Sequence, residues 1–322
     1  MEFSEESSSK KKAALRQQVW DGLEAQDAVL FPRPCHGRIP NCVGSALACG
    51  HLLQLPEIQA ASVVKVHPSI GAAALRTALV MAGKTVLVPP YPGADFLYLR
   101  LHRDLCPTST SLEWAGDKRE YLKWAEPVEL FDIPTVDVVV VATCVVAPNG
   151  VRLGKGKGYG EVEWGILTAL GAADPLRTPV FTLCSDLQVV EPSQLNEELM
   201  ESHDLPVDAF ATSTGLFRCT RTAPKPSGVR WDLVDPQLEE DIGALRQLRH
   251  ISSDQLREHA NSLKQKVHGQ HRPDASAWAT IISGSVQRFA KEEASAQSQT
   301  CRRWTVPEER ATKGKRKGVG KG

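Results

Sequence analysis

What this chain lacks narrows its chemistry first. None of its eight cysteines forms a Cys-x-x-Cys pair. Cys35, Cys42 and Cys49 are spaced by seven, which matches no zinc-ligand pattern. Most of these thiols therefore read as small, buried apolar side chains. No apolar run approaches the ~18 residues that cross a bilayer, which argues against a membrane partner. The first residues are polar, unlike the apolar core of a secretory leader. A soluble, cytoplasmic, reducing setting is the expectation. Formal net charge is zero, but it is unevenly spread. Residues 301–322 hold eight Lys or Arg against two Glu, so a mildly acidic body ends in a basic tail.

Against these absences stands one dense stretch, Asn149-Gly150-Val151-Arg152-Leu153-Gly154-Lys155-Gly156-Lys157-Gly158-Tyr159-Gly160-Glu161. Five glycines interleave with three cations. An apolar, β-branched run (136–146) precedes it and a helix-like segment (161–170) follows. The order strand, glycine loop, helix sets an open, positively charged backbone against a helix N-terminus. Free N–H groups and the helix dipole favour an anion there. Arg152, Lys155 and Lys157 add charge that a phosphate could use. No Ser or Thr follows a Gly-Lys as a Walker A loop requires, and the third glycine is misplaced for a dinucleotide fingerprint. On this pattern alone, a phosphate loop and a solvated Gly/Lys turn both stay open.

The remaining chain reads as alternating β and α segments. Residues 1–10 are polar enough for a disordered start. A helix is predicted over 11–28, with Lys12 and Arg16 on one face. Three prolines make 31–40 irregular. A small-residue helix (44–53), a strand (61–66), a helix (72–82) ended by Gly83, and a strand (85–88) stopped by Pro89-Pro90 follow. A strand, helix and strand joined by short turns imply parallel pairing. Trp114, Tyr121 and Trp124 read as core or rim aromatics. Residues 136–146 should be one central strand, buried on both faces. Further strands are predicted over 179–184, 187–191 and 208–212. The expected fold is α/β: three layers, with a mostly parallel sheet flanked by helices. Its domain spans 11–235. A polar helical extension (236–300) and a disordered basic tail (301–322) follow, the latter with Lys313-Gly314-Lys315-Arg316-Lys317-Gly318.

Arg-Leu-Gly-x-Gly-x-Gly-Tyr at 152–159, followed by an acidic residue, resembles the signature of the 5-formyltetrahydrofolate cyclo-ligase family. Other matching phrases are Lys12-Ala13-Ala14-Leu15-Arg16, Gly83-Lys84 with Pro89-Pro90-Tyr91, Glu126-Pro127, Gln188-Val189-Val190 and His203-Asp204 with Val207-Asp208. Arg38-Ile39-Pro40-Asn41 resembles one branch, the methenyltetrahydrofolate synthetase domain-containing proteins, as does Val229-Arg230-Trp231-Asp232-Leu233, which the resemblance makes a terminal strand over 229–233. The resemblance implies ATP and Mg²⁺ as cofactors and a folate substrate closed to 5,10-methenyltetrahydrofolate. It places Arg152 and Lys155 in the catalytic role on the phosphates. Lys12, Arg16, Gly154, Gly156, Lys157, Gly158 and Tyr159 would bind the nucleotide. Glu161 would hold the metal, with Glu163 nearby as a substitute. His203 is either a proton shuttle or, with Asp204, a structural cap.

Two departures stand out. The family's folate-contacting Glu falls at Ser69, and no carboxylate lies between His67 and Lys84. A serine cannot supply a charge-assisted acceptor. The family's Tyr-Tyr-Asp is Tyr159-Gly160-Glu161 here. Enzyme and non-enzymatic descendant therefore both stay open, the latter binding nucleotide or, through the basic tail, RNA. No aromatic RNP-type strand pattern is present to support an RNA-recognition module.

Overall fold

The apolar runs form short strands whose alternate side chains feed two different layers. The computed structural model describes residues 2–90, 92–106, 112–220, 223–265 and 275–304. Its strands are β1 (Val63–Val66), β2 (Thr85–Val88), β3 (Tyr98–Leu101), β4 (Glu126–Val128), β5 (Val138–Val141), β6 (Val145–Val146), β7 (Arg152–Leu153), β8 (Val180–Leu183), β9 (Ala209–Ala211) and β10 (Leu216–Arg218). All but β6 and β7 join one sheet, ordered β10-β9-β8-β5-β1-β2-β3-β4. From β9 to β2 the strands pair in parallel. The outer strands β10, β3 and β4 are antiparallel. From β1 the chain passes first to β2 on one side and later to β5 on the other. The sheet therefore switches direction between β1 and β5, the place where open α/β sheets bind ligands.

The helices are α1 (Glu2–Ala25), α2 (Ser45–Leu52), α3 (Pro56–Ala60), α4 (Ala73–Met81), α5 (Lys118–Trp124), α6 (Tyr159–Ala169), α7 (Pro236–Asp241), α8 (Gly243–Arg249), α9 (Ser253–Gln265) and α10 (Ala275–Trp304). Successive strand residues point to opposite faces. Val64, Val66, Val86, Val88, Val138 and Val140 join the core made with α2, α4 and Trp278 of α10. Val63, Leu87, Val139 and Val141 join the core made with α6, α7, α8 and Leu263 of α9. A third cluster sets Leu15, Val19 and Leu23 of α1 on Val145 and Leu153 of the β6–β7 hairpin. The three-layer, mostly parallel reading holds.

Several boundaries differ from the sequence reading. The helix expected from residue 11 begins at Glu2, where a disordered start was expected. The single strand over 136–146 breaks after Val141, and β6 turns away to pair with β7. The Thr143 hydroxyl donates to the Val145 carbonyl at 2.8 Å, a local bond that competes with the ladder. Residues 187–191 are no strand. Ser185 and Gln188 form a capping box around a 3-10 turn over Asp186–Gln188. Residues 229–233 hold a 3-10 turn over Trp231–Leu233. Helices α7 to α10 are built into the domain rather than trailing from it. The Glu293 carboxylate on α10 accepts from the backbone N–H of Gly44 at 2.9 Å and of Ala46 at 2.8 Å, capping α2. Gly50 leaves room for Val286 of α10, which a Cβ there would approach to 3.0 Å. The basic run at 313–318 and Tyr91 lie outside the described residues.

Trp278 is 6% exposed and its indole N–H donates to the Leu53 carbonyl at 3.3 Å. Trp278→Ala is expected to destabilise the fold by about 3–5 kcal/mol. The urea midpoint measures this. A shift below about 0.5 kcal/mol, usual for surface changes, would show that α10 is not part of the folding unit.

Candidate functional site

Where the sheet switches direction, the ends of β1, β2 and β5 meet the glycine loop around a cavity of about 470 Å³. The two ends of this cavity are built differently. Gly156 (φ +87°) and Gly158 (φ +71°) shape the loop in backbone conformations that side chains resist. Gly158 caps α6 without a side-chain hydrogen bond, so the first N–H groups of that helix face the cavity uncapped. The Arg16 Nε donates to the Gly154 carbonyl at 2.7 Å, laying its guanidinium along the loop. Burial lowers the pKa of that guanidinium, the mark of a cation drawn out of water. The Lys155 ammonium stands 5.0 Å over the Tyr159 ring.

Other cations of the site are already answered. Lys12 pairs with Asp204 at 2.6 Å and with Glu201 at 3.5 Å. Arg152 is buried; it donates to the Ala142 carbonyl at 2.7 Å and the Leu205 carbonyl at 3.3 Å, and pairs with Glu161. Among the described residues, no carboxylate pairs with Lys118, Lys155 or Lys157, all of which line the cavity. Two of these, Lys155 and Lys157, stand on the loop, where an anion would relieve their charge, and Lys118 stands apart from them at the start of α5. The Tyr159 hydroxyl donates to the Asp241 carboxylate. Burial and that carboxylate push the phenol up to about 12, so it holds its proton.

The opposite end is apolar, walled by Pro89, Pro90, Pro92, Phe96 and Leu97. Ser69 also lines the cavity. Two residues that the sequence reading missed form its floor. Lys65 shares the α6-facing side of β1 with Val63, and its Nζ lies 2.5 Å from Glu163 Oε2, with side chains 2% and 9% exposed. Glu163 is therefore committed to Lys65 and is no spare metal ligand. The signal was present: one cation within the buried strand Val63-Val64-Lys65-Val66 demands an anion across the layer. His67 is 4% exposed and neither ring nitrogen has a hydrogen-bond partner among the described residues. Burial first, then Arg76, Lys65 and Arg152, hold its pKa well below 6.5, so it is neutral. Asp241 was missed because it lies in the stretch taken as a polar extension. Trp114 and Tyr121 are core residues, and neither they nor Trp124 lines the cavity. Gln188 does not line it either; its side-chain amide donates to the Thr143 and Cys144 carbonyls at 3.0 and 3.1 Å. Asp204 accepts from the Glu201 N–H at 2.9 Å as well as from Lys12, the structural role open to it.

The donor set fits a polyphosphate: loop amides, a helix N-terminus, and Arg16, Lys155 and Lys157 without carboxylate partners. For a metal, Glu161 offers one carboxylate shared with Arg152. That suffices for Mg²⁺ only when phosphates supply further oxygens, its usual mode. Glu24, Cys35 and His36 also lie close together, but Arg33 holds Glu24 at 2.8 Å and Asp21 holds His36 at 2.8 Å. Two of the trio are thus already paired.

Residues 8–213 match the 5-formyltetrahydrofolate cyclo-ligase family model, and the chain belongs to that family. It is similar to the curated methenyltetrahydrofolate synthase domain-containing proteins of Mus musculus and Homo sapiens. Identity to the mouse protein is 35% over 238 residues, covering 74% of this chain and 63% of that one. Identity to the human protein is 34% over 238 residues, covering 74% and 61%. The chain thus spans less than two thirds of these relatives' length. Among solved structures, it resembles an NMR structure of Aquifex aeolicus 5,10-methenyltetrahydrofolate synthetase, at 20% identity and a TM-score of 0.42, covering 66% of this chain and 94% of that one. No described helix is long and apolar enough to cross a membrane.

Two outcomes test this site's electrostatics. Lys65→Met leaves the Glu163 carboxylate buried and unpaired, an expected loss of about 3–5 kcal/mol, and adding Glu163→Leu restores most of it. Denaturant midpoints of the single and double variants measure the coupling, and additive losses would contradict it. His67 is the second case. Unfolded, it takes a proton near pH 6.5; folded, it does so only well below. The unfolded chain binds the extra proton, so stability falls as pH drops below about 6.5, by about 1.4 kcal/mol per unit. His67→Phe should remove that share of the slope, and an unchanged slope would show that His67 protonates normally.

Proposed function

We propose that this chain is an ATP- and Mg²⁺-dependent cyclo-ligase that closes 5-formyltetrahydrofolate to 5,10-methenyltetrahydrofolate. The observation that carries the reading is the two-ended cavity: a cationic glycine loop faces an apolar slot across one continuous space, in a chain of this family. Arg16, Lys155, Lys157 and the loop amides would hold the phosphates. Arg152, fixed by its carbonyl partners, orients Glu161 at the helix start, where the carboxylate would meet Mg²⁺. Lys12, held by Asp204, supports the same wall. Bound ATP would supply phosphoryl transfer to the formyl oxygen. The protein's share is positioning and charge neutralisation, and it needs no covalent step of its own. The protonated Tyr159, anchored to Asp241, closes the loop side of the slot. A nucleic-acid role would rest on the tail at 301–322, and no observation on the described residues favours it.

Purified protein given 5-formyltetrahydrofolate, ATP and Mg²⁺ should form methenyltetrahydrofolate, followed by its absorbance. Lys155→Ala with Glu161→Ala should lower kcat/KM by at least about 100-fold, as loss of transition-state charge stabilisation does elsewhere. Turnover indifferent to the double substitution would remove the loop from the mechanism. ATP binding without any turnover would remove the cyclo-ligase reading itself.

A further inference from the structure

Five carboxylates line the cavity: Glu161, Glu163, Glu201, Asp204 and Asp241. Four are answered by a cation. Glu161 pairs with Arg152, Glu163 with Lys65, and Glu201 and Asp204 with Lys12. Asp241 is the exception. Its side-chain partners among the described residues are neutral: the Tyr159 hydroxyl donates to Oδ2, and the Gln237 amide donates to Oδ1 at 3.1 Å. A carboxylate has about four lone-pair positions, so each oxygen keeps one to offer. The residue is half-buried and its backbone is fixed. Its carbonyl accepts from the Gly93 N–H at 2.8 Å, and the Gly243 N–H donates to the Ala94 carbonyl at 3.0 Å. Only glycine allows that approach, because a Cβ at Gly243 would meet the Ala94 carbonyl oxygen at 2.6 Å. Asp241 thus stands where the glycine loop, through Tyr159, meets the wall at 92–97. It also lies past residues 8–213, the span that matches the family model.

We propose that Asp241 is a specificity-determining residue that accepts hydrogen bonds from an uncharged amino group and the adjacent ring N–H of the substrate. An anionic group is repelled by it and has Lys118, Lys155 and Lys157 elsewhere on the walls. A metal ion needs several ligands, and no group of three metal-ligating side chains among the described residues includes Asp241. A full cation would sit in the field of the same three lysines. Lys155 is nearest in the chain of contacts, 5.0 Å over the ring of the tyrosine that Asp241 holds. Uncharged N–H donors meet no such opposition, and a carboxylate accepts them more strongly than a neutral oxygen does. The pterin ring of 5-formyltetrahydrofolate carries such an edge, an amino group beside a ring N–H, and Phe96 and Leu97 suit its flat faces. Asp241 thereby supplies, from the helices beyond the matched span, the charged acceptor that Ser69 cannot. This inference rests on the folate reading above.

The test is calorimetric titration of the full chain with 5-formyltetrahydrofolate and, separately, with ATP and Mg²⁺. Asp241→Asn keeps the shape and an acceptor for Tyr159 but removes the charge. It should weaken folate binding roughly 10- to 100-fold. ATP binding should not weaken, because a negative charge has been taken from beside the cationic loop. Tyr159→Phe removes the anchor and leaves the carboxylate; it should cost the folate less than about 3-fold. In the unaltered protein, an analogue with methyl in place of the ring's 2-amino group should bind roughly 10-fold more weakly or worse, a readout that needs no variant to fold. The analogue should lose little more in Asp241→Asn. Folate bound equally well by the wild type and Asp241→Asn, or as well as its analogue by the wild type, would overturn the contact. So would folate and ATP both weakened in Asp241→Asn, or Tyr159→Phe matching its folate loss, since Asp241 would then act on the fold or through the tyrosine. Unaltered protein that binds ATP but not the folate would overturn the substrate reading and this inference with it.

Discussion

A lysine in the middle of a fully buried strand has to be answered by an anion. In this fold the answer comes from the N-terminal half of the helix behind the glycine loop. The Lys65–Glu163 pair ties α6 to β1 in a region of low dielectric, where an unpaired charge on either side would be severely unfavourable. Because Glu163 sits only four residues into α6, fixing it also fixes the helix start. Gly158 and the uncapped N–H groups are placed by the same contact. Arg152 and Glu161 repeat the arrangement one step closer to the loop. Two strand cations, each matched to an acid on the same helix turn, thus set the geometry of the cavity without using its remaining charges.

That division of labour explains why the cavity has a direction. Cations bound to carboxylates act as structure, and those without such partners, at the loop, act as a field. Away from the loop, the Lys65–Glu163 pair is closed and His67 is kept neutral by burial and its neighbours. A ligand with an anionic end and an uncharged ring would therefore enter in one orientation. The altered positions, Ser69 and Gly160-Glu161, both fall on the walls of this cavity, so the departures from the family pattern concentrate where a ligand would be read.

The layers of the fold were legible in the sequence because strand and helix periods are strong and Gly83, Pro89 and Pro90 punctuate them. The phosphate end was legible because glycines and cations crowd into one contiguous stretch. What escaped was assembled from separate places. Lys65 and Glu163 stand nearly a hundred residues apart, and only the pairing of β1 with α6 brings them together. The break after Val141 was hidden because sheet and hairpin residues are equally buried and equally apolar, so periodicity could not mark it. Helices α7 to α10 looked like a polar extension because each buries only a narrow stripe. Leu238, Ile242, Leu245 and Leu248 nonetheless close one face of the sheet, and Trp278 closes part of the other.

The clamp of α10 on α2 has a consequence for how the protein comes into being. Glu293 supplies the cap of a helix that begins at Ser45, so the apolar surface around Leu52, Leu53 and Val80 lacks part of its cover until α10 has been made. Synthesis runs from the N-terminus at about 5–20 residues per second. For some seconds, then, the described strands of the sheet are all made while one side still waits for α10. The order of the sequence, rather than any property of the finished site, sets how long that side waits for its cover.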